Sequence, residues 1–102
     1  MRTIWKYEIP FPVDHFERIM PMPGRVVRVG MQNGRPHMWC EVDDNTELAD
    51  RIFLVRGTGH PIPDDACWLG TWKDGGFVWH LFDAARPFCP SHEERITLSR
   101  RQ

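Results

Sequence analysis

Arg25-Val26-Val27-Arg28-Val29-Gly30-Met31-Gln32-Asn33-Gly34-Arg35-Pro36-His37-Met38-Trp39-Cys40-Glu41-Val42 reads as two alternating runs on either side of Asn33-Gly34. Both central residues of a two-residue type I′ turn need φ > 0, which Asn and Gly tolerate, so the dipeptide specifies a tight hairpin. The turn fixes a register in which Val29 opposes Met38, Arg28 opposes Trp39 and Val27 opposes Cys40. One face then carries Val27, Val29, Met31, Met38, Cys40 and Val42, and the other Arg28, His37, Trp39 and Glu41. Met31 and Pro36 form a non-hydrogen-bonded pair, so the missing N–H of Pro36 points away from its partner strand. That end of the second strand is expected on a sheet edge, which leaves edge-to-edge pairing into a homodimer open.

Outward from the hairpin, Thr3–Ile9 alternates Trp5, Tyr7 and Ile9 with Lys6 and Glu8, the pattern of a half-buried strand. Residues 10–24 hold Pro10, Pro12, Pro21 and Pro23 and read mainly as loop, with a turn of helix around Asp14–Arg18. Thr46–Ala49 suffices for one helical turn at most, and Ile52–Val55 reads as a central strand. Cys67–Lys73 and Phe77–Asp83 flank Asp74-Gly75-Gly76, a second hairpin whose loop has two or three residues; the choice decides the face on which His80 lies. About six strands in two hairpins plus singles make a small all-β antiparallel barrel or sandwich over residues 1–84. Residues 85–102 form an extension, either a flexible tail or a short helix capped by Ser91.

The chain has 102 residues, enough for one domain with a core; it is 41% apolar, with five Trp and six Phe. Thirteen basic against fourteen acidic residues leave a net charge of −1, which argues against nucleic acid as a partner. The N-terminus lacks a signal-like apolar stretch and no run is long enough to span a membrane, so a cytoplasmic location is expected. Cys40, Cys67 and Cys89 are an odd, widely spaced set and read as reduced thiols.

The chemistry concentrates in Arg56-Gly57-Thr58-Gly59-His60-Pro61-Ile62-Pro63-Asp64-Asp65, a loop that two glycines and two prolines shape. Pro61 restricts His60 to extended geometry, so its imidazole is presented in a fixed direction. Gly57, Gly59, His60, Asp64 and Asp65 are therefore candidate binding residues. The plainer reading is a turn whose carboxylates bond their own backbone. Arg28 and Trp39 on the outer hairpin face, and Trp72 or Trp79 beside Lys73, have the composition of interface hot spots. His37 and Cys40 sit three apart on a strand and face opposite sides, so they cannot easily share a metal. Cys89 and His92 would need Cys67 or His80 to complete a metal site. Cys40 falls on the core face, Cys67 follows Asp65 closely, and no nucleophile elbow, phosphate loop or dinucleotide fingerprint is present. No cofactor is implied.

Trp5-Lys6-Tyr7-Glu8-Ile9-Pro10, the strand ending in Gln32-Asn33-Gly34, Trp39–Asp43, Gly57-Thr58-Gly59-His60-Pro61-Ile62, Leu69-Gly70-Thr71 and Phe77-Val78-Trp79-His80-Leu81-Phe82 follow one another in that order. This pattern, over about residues 3–83, resembles a family of short phage and prophage proteins of unknown function. The resemblance implies a viral or prophage accessory protein and supplies no activity, catalytic residue or cofactor. The resulting expectation is a non-enzymatic binding protein that contacts a host protein, as an inhibitor of host defence or regulation. One alternative is a protein that sequesters a small anionic ligand or nucleotide, marked by a deep pocket lined by His60, an Arg and a Trp. The other is a metal- or thiol-dependent enzyme, which requires Cys67, Cys89, His80 or His92 to converge.

Overall fold

In the computed structural model, which describes residues 1–84, the chain forms seven strands: β1 (Arg2–Glu8), β2 (His15–Pro21), β3 (Arg25–Gln32), β4 (Arg35–Asp43), β5 (Leu48–Gly57), β6 (Cys67–Asp74) and β7 (Phe77–Asp83). They pair antiparallel in two sheets, ordered β1-β4-β3 and β2-β5-β7-β6. The sheets face each other as a sandwich and do not close into a barrel. Among the described residues no helix is long and apolar enough to cross a membrane. Residues 85–102, with Cys89 and His92, lie outside the described part, as does the expectation of a tail or helix there.

Asn33 and Gly34 have φ of 54° and 78°, as the type I′ turn demands. Gln32 pairs with Arg35, Val29 with Met38 and Arg28 with Trp39, the register expected from the turn. A bulge between Val26 and Arg28 then shifts the ladder, so Val26 rather than Val27 opposes Cys40. Val27 is consequently 46% exposed instead of sharing the core face. A Cβ at Gly34 would meet nothing within 4 Å, so the turn needs glycine for conformation alone. Gly34→Val is expected to lower stability by roughly 1 kcal/mol; coincident thermal melts of the two proteins would contradict that account.

The expected edge position of β4 does not hold. β1 returns to pair along β4, from Arg2↔Asp43 to Glu8↔His37, and makes β4 the central strand. Pro36 is tolerated there because the ladder stops beside it. The last bond runs from the Ile9 N–H to the Pro36 carbonyl at 2.9 Å, and Pro10 follows.

The second correction is β2, where a loop with a helical turn was expected. Phe16, Arg18 and Met20 face inward and His15, Glu17 and Ile19 outward, so a period of two runs through the segment. Ile52–Val55 is central as expected, lying in β5 between β2 and β7, but the strand begins as early as Leu48. Asp74 pairs with Phe77, so the second hairpin has the two-residue loop Gly75-Gly76. His80 pairs with Thr71 on the outer face of that sheet.

Between the sheets lie Ile9, Phe16, Met20, Met38, Cys40, Val42, Phe53, Val55, Trp72 and Leu81. Phe16 stacks on Phe53 at 5.2 Å. Each such side chain contributes roughly 1.5–3 kcal/mol by leaving water. Burial pushes the Cys40 thiol up to about 12, so it is an inert part of the core.

A charged pair sits within this apolar layer. Arg51 and Asp83 are 7% and 5% exposed, with Arg51 Nη2 2.5 Å from Asp83 Oδ2. Arg51 Nη1 donates to the Gly24 carbonyl, and the guanidinium lies 5.0 Å from the Phe53 ring centre. Gly24 has φ 58°, and a Cβ on it would sit 2.5 Å from Met20 Sδ and 2.8 Å from Arg51 Nη1.

The two sides of the sandwich differ. On one, β3 packs against β6 so closely that a Cβ on Gly70 would lie 2.4 Å from Val29 Cγ2. On the other, β1 and β2 are spanned by Arg18, whose Nη2 donates to the Glu8 carbonyl (3.0 Å) and Nη1 to the Glu17 carbonyl (2.8 Å).

Candidate functional site

β5 ends in Arg56-Gly57, and the chain then runs through the Gly/Pro loop toward β6. Opposite it passes the β1–β2 connection, Pro10 to Asp14. An open groove of about 820 Å³ lies between them, lined by Phe11, Pro12, Val13, Asp14, Val55, Arg56, His60, Pro61, Ile62, Pro63 and Trp79. Its lining is chiefly apolar. Phe11 meets Trp79 edge-on at 4.9 Å and also touches the buried Trp72 at 5.9 Å, so the groove is backed by the core. A second depression of about 500 Å³, lined by Gly57, Thr58, Gly76, Phe77 and Val78, shares His60 and Trp79 with the first. His60 and Trp79 thus stand between two concave surfaces.

Backbone bonds hold the loop in shape. The His60 N–H donates to the Gly57 carbonyl (3.0 Å), and Thr58 N–H donates to the Val78 carbonyl (3.2 Å). In return, the Gly57 N–H donates to His60 Nδ1 at 3.1 Å. Since Nδ1 is an acceptor there, the neutral ring carries its proton on Nε2. Gly57 permits this fold-back, because a Cβ at that position would lie 2.9 Å from His60 Cε1 and 3.2 Å from Trp79 Cζ3. Gly59, with φ 91°, supplies the backbone reversal. Thr58 Oγ1 and Thr71 Oγ1 lie 3.0 and 2.9 Å from the two nitrogens of His80, which ties the loop to β6 and β7.

Arg56 shapes the groove. Its Nε donates to the Pro61 carbonyl (3.1 Å), and its Nη1 donates to the carbonyls of Asp14 (2.7 Å) and Val55 (2.9 Å). Those bonds strap both walls of the groove to β5. The Asp14 carboxylate, bonded to the His15 ring at 2.7 Å, is held below its usual range by that bond and by the imidazole's charge.

The candidate residues from the sequence fall in four places. Gly57, Gly59 and His60 build the loop, and His60 lines the groove. Asp64 and Asp65 occupy an exposed turn that the Ala66 N–H closes onto the Pro63 carbonyl (3.0 Å), and neither lines the groove. Arg28 and Trp39 belong to the outer face of the other sheet, where the guanidinium lies 5.0 Å from the indole centre. Trp72 is 3% exposed and packs in the core; of the two tryptophans considered beside Lys73, Trp79 reaches the groove. His37 and Cys40 face opposite sides of β4, and the described residues contain no cluster of three potential metal ligands.

Phe11, Pro12 and Val13 are the contributors that sequence reading missed. Their signal was an aromatic ring between two prolines, Pro10-Phe11-Pro12, which marks a rigid connection that presents a ring rather than a plain linker. Neither the curated proteins nor the solved structures contain a match to this chain. Residues 1–89 match a family described as a domain of unknown function, DUF7352, and the chain belongs to that family.

Proposed function

We propose that this chain is a small binding protein that recognises a short extended peptide segment of a partner protein in the groove between Pro10–Asp14 and the Gly57–Asp65 loop. The observation that carries this reading is the fixed His60 ring beside Phe11 and Trp79: one directed Nε2–H donor on a wide apolar surface. Extended peptides offer that pairing, with carbonyl oxygens to accept a bond and side chains to fill apolar depressions. The groove's openness suits a chain segment lying along it, and the two depressions flanking His60 and Trp79 suit alternate side chains.

The anion-binding alternative has less support. His60, Arg56 and Trp79 do line one groove, the residue types that reading called for. The guanidinium's Nε and Nη1 are, however, committed to carbonyls, and the N–H groups of Gly57, Thr58 and His60 are all bonded within the fold. Few donors remain to cradle a phosphate. The resemblance to phage and prophage proteins supplies the biological setting of the proposal: the peptide belongs to a host protein whose activity the chain would block.

Panning a displayed library of random peptides on the immobilised protein tests the reading. Enrichment of a shared motif is expected, with affinity falling roughly fivefold in His60→Ala, the loss of one hydrogen bond worth about 1 kcal/mol. Saturable binding of fluorescent nucleotides without peptide enrichment would replace this reading with the anion one.

A further inference from the structure

The β1 edge forms a pattern independent of the groove. In an antiparallel ladder alternate residues bond to the neighbour and the others turn their N–H and C=O outward. Ile9 N–H bonds to the Pro36 carbonyl and Asp44 N–H to the Met1 carbonyl, so the odd residues of β1 face β4. Arg2, Ile4, Lys6 and Glu8 therefore point their backbone groups to the open edge, and Arg18 takes the Glu8 carbonyl.

The other edges are treated differently. β3 and β6 cover one another at the Val29–Gly70 contact. On β2, the Arg18 guanidinium covers the Glu17 carbonyl, and the strand ends in Pro21. β1 has no proline, no glycine and no bulge, and exposed strands of that kind are templates for pairing. Its apolar residues are uncovered as well, with Ile4 49% and Trp5 42% exposed.

We infer that two copies of this chain pair through β1, antiparallel about a two-fold axis at Trp5, and join their three-stranded sheets into one sheet of six. Charge selects the register. Centring the axis at Trp5 places Arg2 opposite Glu8 of the second copy, twice, and Ile4 opposite Lys6. A shift that centres the axis at Ile4 would set Arg2 against Lys6, and one centred at Lys6 would set the two lysines together. Like charges directly opposite each other destabilise a pair, so the first register is favoured over these two. An axis at Tyr7 would also set Lys6 against Glu8, but it pairs only residues 6–8 of the strand and leaves Arg2, Thr3 and Ile4 without a partner in the opposite β1. Arg2 and Glu8 also pair within the chain, with Glu41 (2.5 Å) and Arg35 (3.6 Å), yet the Arg2 and Glu8 side chains remain 73% and 48% exposed and open to a further partner. The arrangement is isologous, as two-fold assemblies require.

Sedimentation equilibrium over rising protein concentration tests this. The wild-type chain should approach twice its 12.0 kDa mass. Arg2→Glu and Glu8→Arg should each weaken association at least tenfold, with unchanged thermal melts at low concentration. The double variant Arg2→Glu/Glu8→Arg should restore association, which loss of the intrachain pairs with Glu41 and Arg35 cannot explain. Ile4→Pro, which removes an outward N–H at the middle of the edge, should also remain a single chain. A wild-type protein that keeps the single-chain mass at about 1 mM, a scale where only very weak contacts fail to register, would overturn the inference. So would single variants that associate as the wild type does, or a double variant that does not recover.

Discussion

Arg51→Met is expected to lower the unfolding free energy by about 3–5 kcal/mol, the largest effect of any single change considered for this chain. Methionine fills much of the volume of arginine but carries no charge. Asp83, 5% exposed, would lose the guanidinium 2.5 Å away, and the Gly24 carbonyl would lose the donor it accepts from. The Gly24 carbonyl, stripped of its donor inside the core, carries its desolvation penalty, and the buried Asp83 charge loses the cation that compensates it. Urea unfolding followed by circular dichroism gives the value directly. The double variant Arg51→Met/Asp83→Leu should recover most of the loss, since an apolar pair of similar volume often replaces a buried ion pair without harm. A single variant within about 1 kcal/mol of wild type would mean that the pair is solvated and not part of the core.

Gly70→Ala is expected to destabilise by about 1–3 kcal/mol through overpacking where β6 lies against β3. The added Cβ would lie 2.4 and 2.6 Å from two carbons of Val29, distances at which one backbone must move. Because Gly70 lies at the bulge of β6 and Val29 follows the bulge of β3, the strain falls where both strands already bend. Val29→Ala removes the Cγ2 contact but keeps the Cβ at 2.6 Å, so it should relieve part of the strain. A double-mutant cycle with a coupling of at least about 1 kcal/mol would support the contact, and strict additivity would refute it.

These two positions also show what the sequence conceals. The first hairpin was legible because Asn33-Gly34 states its turn locally and alternation states the faces, whereas Asp74-Gly75-Gly76 announced the second hairpin but left its loop at two or three residues and its register open by one. β2 was not legible, for two reasons. Its inward row reads Phe16, Arg18, Met20, with a charged residue where an apolar one is expected, and prolines flank it on both sides. Arg18 is accommodated because its guanidinium reaches the sheet edge and finds two carbonyls, a tertiary circumstance invisible from composition. The bulge at Val27 was hidden in the same way, since nothing in a run of valines marks where one of them is extruded. Within the site, the loop and His60 were legible from Gly and Pro placement. The facing wall was not, because Phe11 and Trp79 meet only after two sheets have packed.

The strand order has a kinetic consequence. Only β3–β4 and β6–β7 join neighbours in the chain; β1 must find β4, and β2 must find β5, through partners as distant as Arg2 and Asp43 or His15 and Leu54. Closing such loops consumes chain entropy before any contact compensates it. The two hairpins should therefore be structured at the rate-limiting step while β1 and β2 are still unattached, and folding should take on the order of milliseconds to seconds. Substitutions at the Asn33-Gly34 turn would then slow folding, whereas those in β1 would chiefly hasten unfolding.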